Sequence, residues 1–230
     1  TSRVPWLEGR SAWIADYASH YRTSRHFIAR SLNRSADYFT QRVSPGDYFN
    51  VFSSEKNIEF HLLFDLSRCK MWFFYHDASD ESRVLVKTYN VGLGRKDAKK
   101  ASGYLTPLGT YQLGEKVAIY KPGMLGYFQD QKVEMIQVFG TRWIPFGKAV
   151  SKNTEPPKGY GIHGSPWSSD PKKGLVEDRT HIKKYDSDGC IRLSSQDMEE
   201  LFAIIITKPT FVHIVKDFHE AKLPGVEKTL

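Results

Sequence analysis

From residue 58 onward the chain is written in a period of two, and that constrains its fold more than any other feature. In IEFHLLFDL, residues 58 to 66, Ile58, Phe60, Leu62, Phe64 and Leu66 alternate with mostly polar neighbours, Leu63 excepted. Alternation sends successive side chains to opposite faces, so such a run is a strand with one face to cover. MWFFY (71–75) and VLVKTYNV (84–91) follow on either side of the turn-rich HDASDESR, which predicts an antiparallel meander. TYQL (110–113), VEMIQVF (133–139), YGIH (160–163) and TFVHIV (210–215) are further strand candidates. One segment keeps a helical period instead: Met198, Leu201, Phe202 and Ile205 fall at i, i+3, i+4 and i+7. Ser194 or Ser195 can cap that helix, acids fill its first turn, and Lys208-Pro209 ends it. Many short strands with one well-marked helix predict a mainly β domain, sandwich-like or barrel-like.

The N-terminal stretch differs. Over residues 11–42 Trp13, Tyr17 and Tyr21 recur every four positions, and Ile28, Leu32, Ala36 and Phe39 continue the stripe, which predicts helix. Residues 1–42 carry seven arginines against three acids. Such a segment either offers a basic surface to an anionic wall or membrane, or packs its apolar stripe while its arginines stay solvated. We take the second reading for the fold and keep the first as a candidate partner. After the turn VSPGD (43–47) the period changes. The expected organisation is therefore a basic helical segment over residues 1–50, a β-rich main domain over 51–220 and a C-terminal tail over 221–230. The segment EKVAIYKPGMLGYFQDQ (115–131), with glycines and a proline among aromatics, is either a flexible lid or a long loop between strands.

A net charge of +7 favours an anionic partner, and nucleic acid, anionic lipid and anionic wall polymer all satisfy that. No RNA- or DNA-binding motif accompanies the charge, so nucleic acid is not expected. No apolar run approaches the roughly 20 residues needed to span a bilayer. The chain starts at Thr1, which reads as a mature or trimmed form. No CxxC or HExxH spacing occurs, and neither metal nor cofactor is expected.

Two cysteines cannot frame a chain of 230 residues with disulfides. Cys69, at the entrance to an aromatic strand, reads as a small buried hydrophobe. Cys190 has a different setting, in SDGCIRLSS just ahead of the helix. Gly189 removes bulk in front of it, so a substrate carbonyl can approach the backbone amides there, and such amides can stabilise an oxyanion. A thiol attacks as thiolate and needs a base or a cation nearby. The best-placed base is His163 in YGIHGSPW, ending a strand before Gly164, where chain and substrate can come close. Arg192 would set a fixed cation beside the sulfur and can grip a carboxylate with two prongs. On these residues alone, a nucleophilic and an inert Cys190 both remain open.

GIHGSPWSS followed by SDGCIRLSS resembles the signature of the L,D-transpeptidases, the YkuD-type catalytic domain. FDLSRCKMWFFY, KTYNVGLGRKDAKKASGYLTPLGTYQL and FGTRWIPF are similar to further family segments in the same order, so the resemblance covers roughly residues 58–216. It implies a β-rich domain working on peptidoglycan outside the cytoplasm. Cys190 would attack the carbonyl of the L-centre of a diamino acid in a tetrapeptide stem and expel D-alanine. The thioester would then pass to the side-chain amine of a second stem, giving a 3→3 cross-link. His163 matches the general base, Ser187 and Gly189 match the motif, and the backbone at Gly189 and Cys190 the oxyanion hole. Arg192, Ser187, Asp188, Gly164, Ser165 and Trp143 form the expected substrate-contacting set, and carbapenem inhibition is expected.

The chain departs from the family pattern twice. Asp188 stands where many members have histidine, and a carboxylate there opposes thiolate formation unless Arg192 or a lysine pairs with it. It could also attract a cationic acceptor amine or simply be a loop acid. The insert DPKKGLVEDRTHIKKYD is expected to project from the cleft rim; its His181 is either a second base or substrate contact or a solvated loop residue, and we take the last reading. Resolution of the thioester by water would make the same site an L,D-carboxypeptidase, and a non-catalytic wall-binding module is the reading from another class.

Overall fold

The computed structural model describes residues 9, 12–33 and 41–228. In chain order the helices are α1 (Ile14–His20), α2 (Arg25–Asn33), α3 (Ile136–Phe139) and α4 (Ser195–Ile205). The strands of the first half are β1 (Ile58–Asp65), β2 (Lys70–Asp77), β3 (Ser82–Asn90), β4 (Leu93–Gly94), β5 (Gly109–Leu113), β6 (Ala118–Ile119), β7 (Leu125–Phe128) and β8 (Gln131–Glu134). Those of the second half are β9 (Arg142–Ser151), β10 (Gly161–Gly164), β11 (Trp167–Asp170), β12 (Gly174–Glu177), β13 (Tyr185–Ser187), β14 (Ile191–Leu193), β15 (Thr210–Val215) and β16 (Val226–Glu227).

Ten strands form one curled mixed sheet in the order β14-β10-β9-β5-β15-β1-β2-β3-β16, with β6 added alongside β9. The mainly β, barrel-like class expected from the period-two runs is what forms. Strand β1 lies between β15, parallel, and β2, antiparallel, and is buried on both faces. That explains why Leu63 breaks the alternation: a central strand covered on both sides has no solvent face to keep polar. Phe60, Leu62 and Phe64 meet Met71 and Phe73 of β2, Val212 and Ile214 of β15, and Met198, Leu201, Phe202 and Ile205 of α4 in one core. Burying each such side chain contributes about 1.5–3 kcal/mol. Ser194 caps α4, its hydroxyl accepting from the Asp197 amide at 3.2 Å.

Four expectations need correction. The helix predicted over 11–42 is broken after His20, because Arg22 takes a left-handed φ of 50° and the Ser24 hydroxyl accepts from the Phe27 amide, starting α2 afresh. Ala36 and Phe39 of the expected stripe, with Arg3, Arg10 and Arg34 of the basic segment, lie outside the described residues. VEMIQVF, predicted as strand, splits into the end of β8 and the single turn α3, stopped by Gly140 at φ +62°. A short apolar run fits either structure, so its period did not separate them. The insert after Asp170 does not project freely: Glu177 accepts from the Ser195 amide at the start of α4, and the Lys183 amide donates to Val91. Finally, the C-terminal stretch extends the sheet, with β16 pairing parallel to β3.

Ile14, Ala18, Ile28 and Ala29 make a small second core with Tyr17, Leu32, Val43 and Phe49. Phe27 stacks on Phe52 at 4.5 Å and Arg30 reaches Glu200 of α4 at 2.7 Å.

Candidate active site

Three adjacent strands, β9, β10 and β14, carry the candidate residues. In the β10–β14 ladder Ile162 faces Ile191 and both are wholly buried in the core. The next pair, His163 and Arg192, therefore takes the opposite face, and alternation gives that face to Cys190, two residues before Arg192. Read one step back, the ladder sets Cys190 level with Gly161, two residues from His163. Its sulfur lies 3.5 Å from the Gly159 carbonyl oxygen, and the Gly161 amide is directed at it. The structure thus brings Cys190, His163 and Arg192 to one place.

The imidazole is set in a single tautomer. His163 is 3% exposed and its Nδ1 lies 2.7 Å from the Gly164 carbonyl oxygen. A carbonyl only accepts, so Nδ1 carries the proton and Nε2 keeps its lone pair. Burial pushes His163 down to about 3; the Gly164 and Phe139 carbonyls oppose this only in part, and the Arg192 charge adds to it. Burial likewise pushes the Cys190 thiol up to about 11, against the Gly161 amide and the Arg192 guanidinium, while the Asp188 charge raises it further. At neutral pH the pair is a thiol and a neutral imidazole.

The turn carrying Cys190 is bolted from two sides. Buried Ser187 donates to the Cys190 carbonyl at 2.6 Å and accepts from the Gly189 amide at 3.1 Å. Thr106, wholly buried, donates to the Gly189 carbonyl at 3.0 Å and accepts from the Gly94 amide at 2.7 Å. The expected oxyanion hole is therefore revised: Ser187 occupies the Gly189 amide, leaving the Cys190 amide, which meets no acceptor among the described residues. Gly189 is required for another reason than substrate access. Its φ is +122°, and a Cβ there would lie 2.6 Å from the Tyr160 ring and 2.9 Å from the Leu105 carbonyl oxygen.

Other expected contacts also move. Gly164 makes room for neighbouring chain, since a Cβ would sit 3.1 Å from the Thr141 amide nitrogen. Ser165 is wholly buried and its amide completes the ladder to Leu193, so it cannot touch substrate in this conformation. Trp143 is half-buried with its ring 5.9 Å from that of His163, which suits a wall of the cleft. Asp188 pairs with Arg95, not with Arg192 or a lysine, and both partners are exposed. His181 is not a solvated loop residue: its Nδ1 lies 2.7 Å from Asp186, which accepts from Arg192 at 2.7 Å. The insert thereby supplies Arg192 with its carboxylate partner.

The segment 115–131 contributes to the site through aromatic contacts. Tyr120 and Phe128 pack on Phe139, at 6.0 and 5.4 Å, and Phe139 stands edge-on to His163 at 5.4 Å. Phe139, Thr106, Tyr160 and Asp186 were all missed in the sequence. Only Thr106 had a local signal, as the first residue of the Thr-Pro-x-Gly-Thr turn in LTPLGT.

The curled mixed sheet thus sets a cysteine, in the turn just before β14, near a histidine of the adjacent strand β10, a pairing of residue types that nucleophilic catalysis uses. Residues 59–214 match the family model described as YkuD, L,D-transpeptidase catalytic domain, and the chain belongs to that family. No curated protein matches the sequence. Similar solved structures include Bd1075 of Bdellovibrio bacteriovorus, 13% identical with TM-score 0.45, covering 69% of this chain and 48% of that one. Another is the helical cell shape determining protein Pgp2 of Campylobacter jejuni, 16% identical with TM-score 0.44, covering 74% of this chain and 53% of that one. A point variant of Pgp2 is 17% identical with TM-score 0.46, covering 74% and 50%. The chain spans about half the length of these proteins.

Proposed function

We propose that the chain is a peptidoglycan L,D-transpeptidase working through a Cys190 thioester outside the cytoplasm. The observation that carries this reading is that Cys190, at the end of the turn entering β14, extends the face that His163 and Arg192 share across β10 and β14, with His163 Nδ1 tied to the Gly164 carbonyl and Nε2 left as a base. As the sulfur attacks the carbonyl carbon of the third stem residue, its proton passes to His163 Nε2. Negative charge develops on the carbonyl oxygen, where the Cys190 amide can donate. Collapse breaks the peptide bond, and the imidazolium returns the proton to the leaving D-alanine amine. An acceptor amine then attacks the thioester, loses its proton to His163, and forms the new amide as the sulfur leaves and is reprotonated. Arg192 favours the thiolate electrostatically, and a substrate carboxylate reaches it only by competing with Asp186. Trp143 walls the cleft, Asp188 with Arg95 stands at its rim, and the arginine-bearing N-terminal segment is the part suited to an anionic wall or membrane surface.

The test is incubation with purified disaccharide-tetrapeptide, followed by mass analysis. A cross-linked dimer with D-alanine released is expected, and Cys190→Ala, still folded, should give neither. His163→Ala should be slower by ~10²–10⁴-fold. Bare tripeptide without dimer would reassign the acceptor to water and make the chain an L,D-carboxypeptidase. Undiminished turnover by Cys190→Ala would dispose of the reading.

A further inference from the structure

Three strands, β9, β5 and β15, separate β10 from β1 in the sheet, and a second cluster of titratable groups lies there on β1 and β2. Glu59 and His76 are direct cross-strand partners, and His61, two residues beyond Glu59, shares their face. This is the face opposite Phe60, Leu62 and Phe64, and His61 and His76 are each 3% exposed.

Glu59 Oε2 lies 3.6 Å from His61 Nε2 and 3.5 Å from His76 Nδ1. Those separations are too long for good hydrogen bonds. Both ring nitrogens are buried and have no hydrogen-bond partner among the described residues. Buried polar atoms are ordinarily satisfied, so two orphans converging on one carboxylate oxygen call for an explanation. The spacing supplies one. Tetrahedral zinc with bonds of about 2.0–2.2 Å has ligand atoms roughly 3.3–3.6 Å apart along its edges. The three atoms lie within 4.8 Å of one another.

We propose that Glu59 Oε2, His61 Nε2 and His76 Nδ1 hold a divalent transition metal of the zinc type, with a fourth position left to water. The surrounding groups suit that role. His61 Nδ1 lies 2.9 Å from His213 Nε2, so a proton on Nδ1 leaves the Nε2 lone pair facing Glu59. His213 Nδ1 in turn lies 3.3 Å from the Thr110 hydroxyl. Metal-bound histidines characteristically give their second ring nitrogen to a partner, as His61 Nδ1 does to His213. His76 Nε2 has no hydrogen-bond partner among the described residues, and the Glu81 carboxylate lies 3.6 Å from it. The Arg83 cation faces the same cluster, but its guanidinium is tied to the carbonyls of Leu223, Pro224 and Gly225 and lies over the Phe74 ring. Glu59, 28% exposed, provides the entry route. No linear motif announces the site, because it exists only once β1 and β2 pair in register.

The test uses the tag-free chain, stripped with chelator, in wild-type form and as Cys190→Ser so that the catalytic sulfur is not counted. Zinc binding is read by elemental analysis after dialysis, and cobalt substitution by visible absorption. One equivalent in both proteins, a tetrahedral cobalt band and a higher melting temperature with zinc are expected. Glu59→Gln and His76→Gln should weaken binding about tenfold or more. Glu59→Gln keeps the shape of a partly exposed side chain, so it decides the matter if His76→Gln does not fold. Absence of stoichiometric binding, undiminished affinity in Glu59→Gln, or loss of binding on Cys190→Ser alone would each overturn the proposal.

Discussion

At Cys190 burial raises the thiol to about 11, while at His163 it lowers the imidazole to about 3, so the fold does not favour a standing ion pair. Proton transfer must then accompany attack. The competent thiol–imidazole form spans the whole interval between those two values. We expect kcat/KM for D-alanine release to be flat from about pH 5 to about pH 9. Alkylation of Cys190 by iodoacetamide should still be climbing above pH 9, because its rate follows the thiolate fraction. An alkylation plateau already reached at pH 7 would instead show a preformed thiolate. At this scale the sequence singled out Cys190, His163 and Arg192, since each sits in a local motif, and the β10–β14 register sets them near one another. It misassigned Gly189, Gly164 and Ser165, because what a glycine makes room for, such as the Tyr160 ring at Gly189, comes from elsewhere in the chain. Asp186 stayed hidden for the same reason: its partner Arg192 is reached only when the insert folds back.

At the scale of elements, Glu200 on α4 joins three pieces. Its carboxylate accepts from Arg30 of α2 at 2.7 Å and from Lys87 and Tyr89 of β3 at 2.5 and 2.8 Å. The Tyr89 hydroxyl is largely buried, and burial together with the Glu200 charge holds its proton firmly. Glu200→Gln should cost about 1–2 kcal/mol in chemical denaturation, chiefly by weakening charge-assisted bonds in a partly buried place. Combined with Arg30→Ala, the loss should be less than the sum, because the two substitutions share a contact. Full additivity would mean that α2 does not dock through this pair. Strand β15 was legible to the residue as TFVHIV, and α4 through its i, i+3, i+4, i+7 pattern. The hairpin of β7 and β8 was not, since its alternation is short and its glycine-rich surroundings read equally as loop.

For the molecule as a whole, two buried histidines and a half-buried one are held neutral: His61 and His163 at about 3 and His213 at about 4. In the unfolded chain each titrates near 6.5. Between those values the unfolded state binds more protons than the folded one, so stability rises with pH and is lost as pH falls from about 6.5 towards 3–4. Each group contributes a slope of up to about 1.4 kcal/mol per pH unit in that window. Melting temperature should accordingly fall steeply from pH 7 to pH 4.5 and change little from pH 7 to pH 8.5. A midpoint unchanged between pH 7 and pH 4.5 would contradict the burial of these rings. That window was not readable in the sequence, where His61 and His213 are ordinary strand residues 152 positions apart. The parallel pairing of β1 with β15 brings them together.

The most direct measurement is the mass of the intact protein, quenched in acid seconds after mixing with disaccharide-tetrapeptide. The account predicts an adduct equal to the substrate less alanine, mapped by proteolysis to the peptide containing Cys190 and cleared by hydroxylamine. Release of D-alanine at the full rate with no adduct on Cys190, or an adduct on another residue, would contradict it.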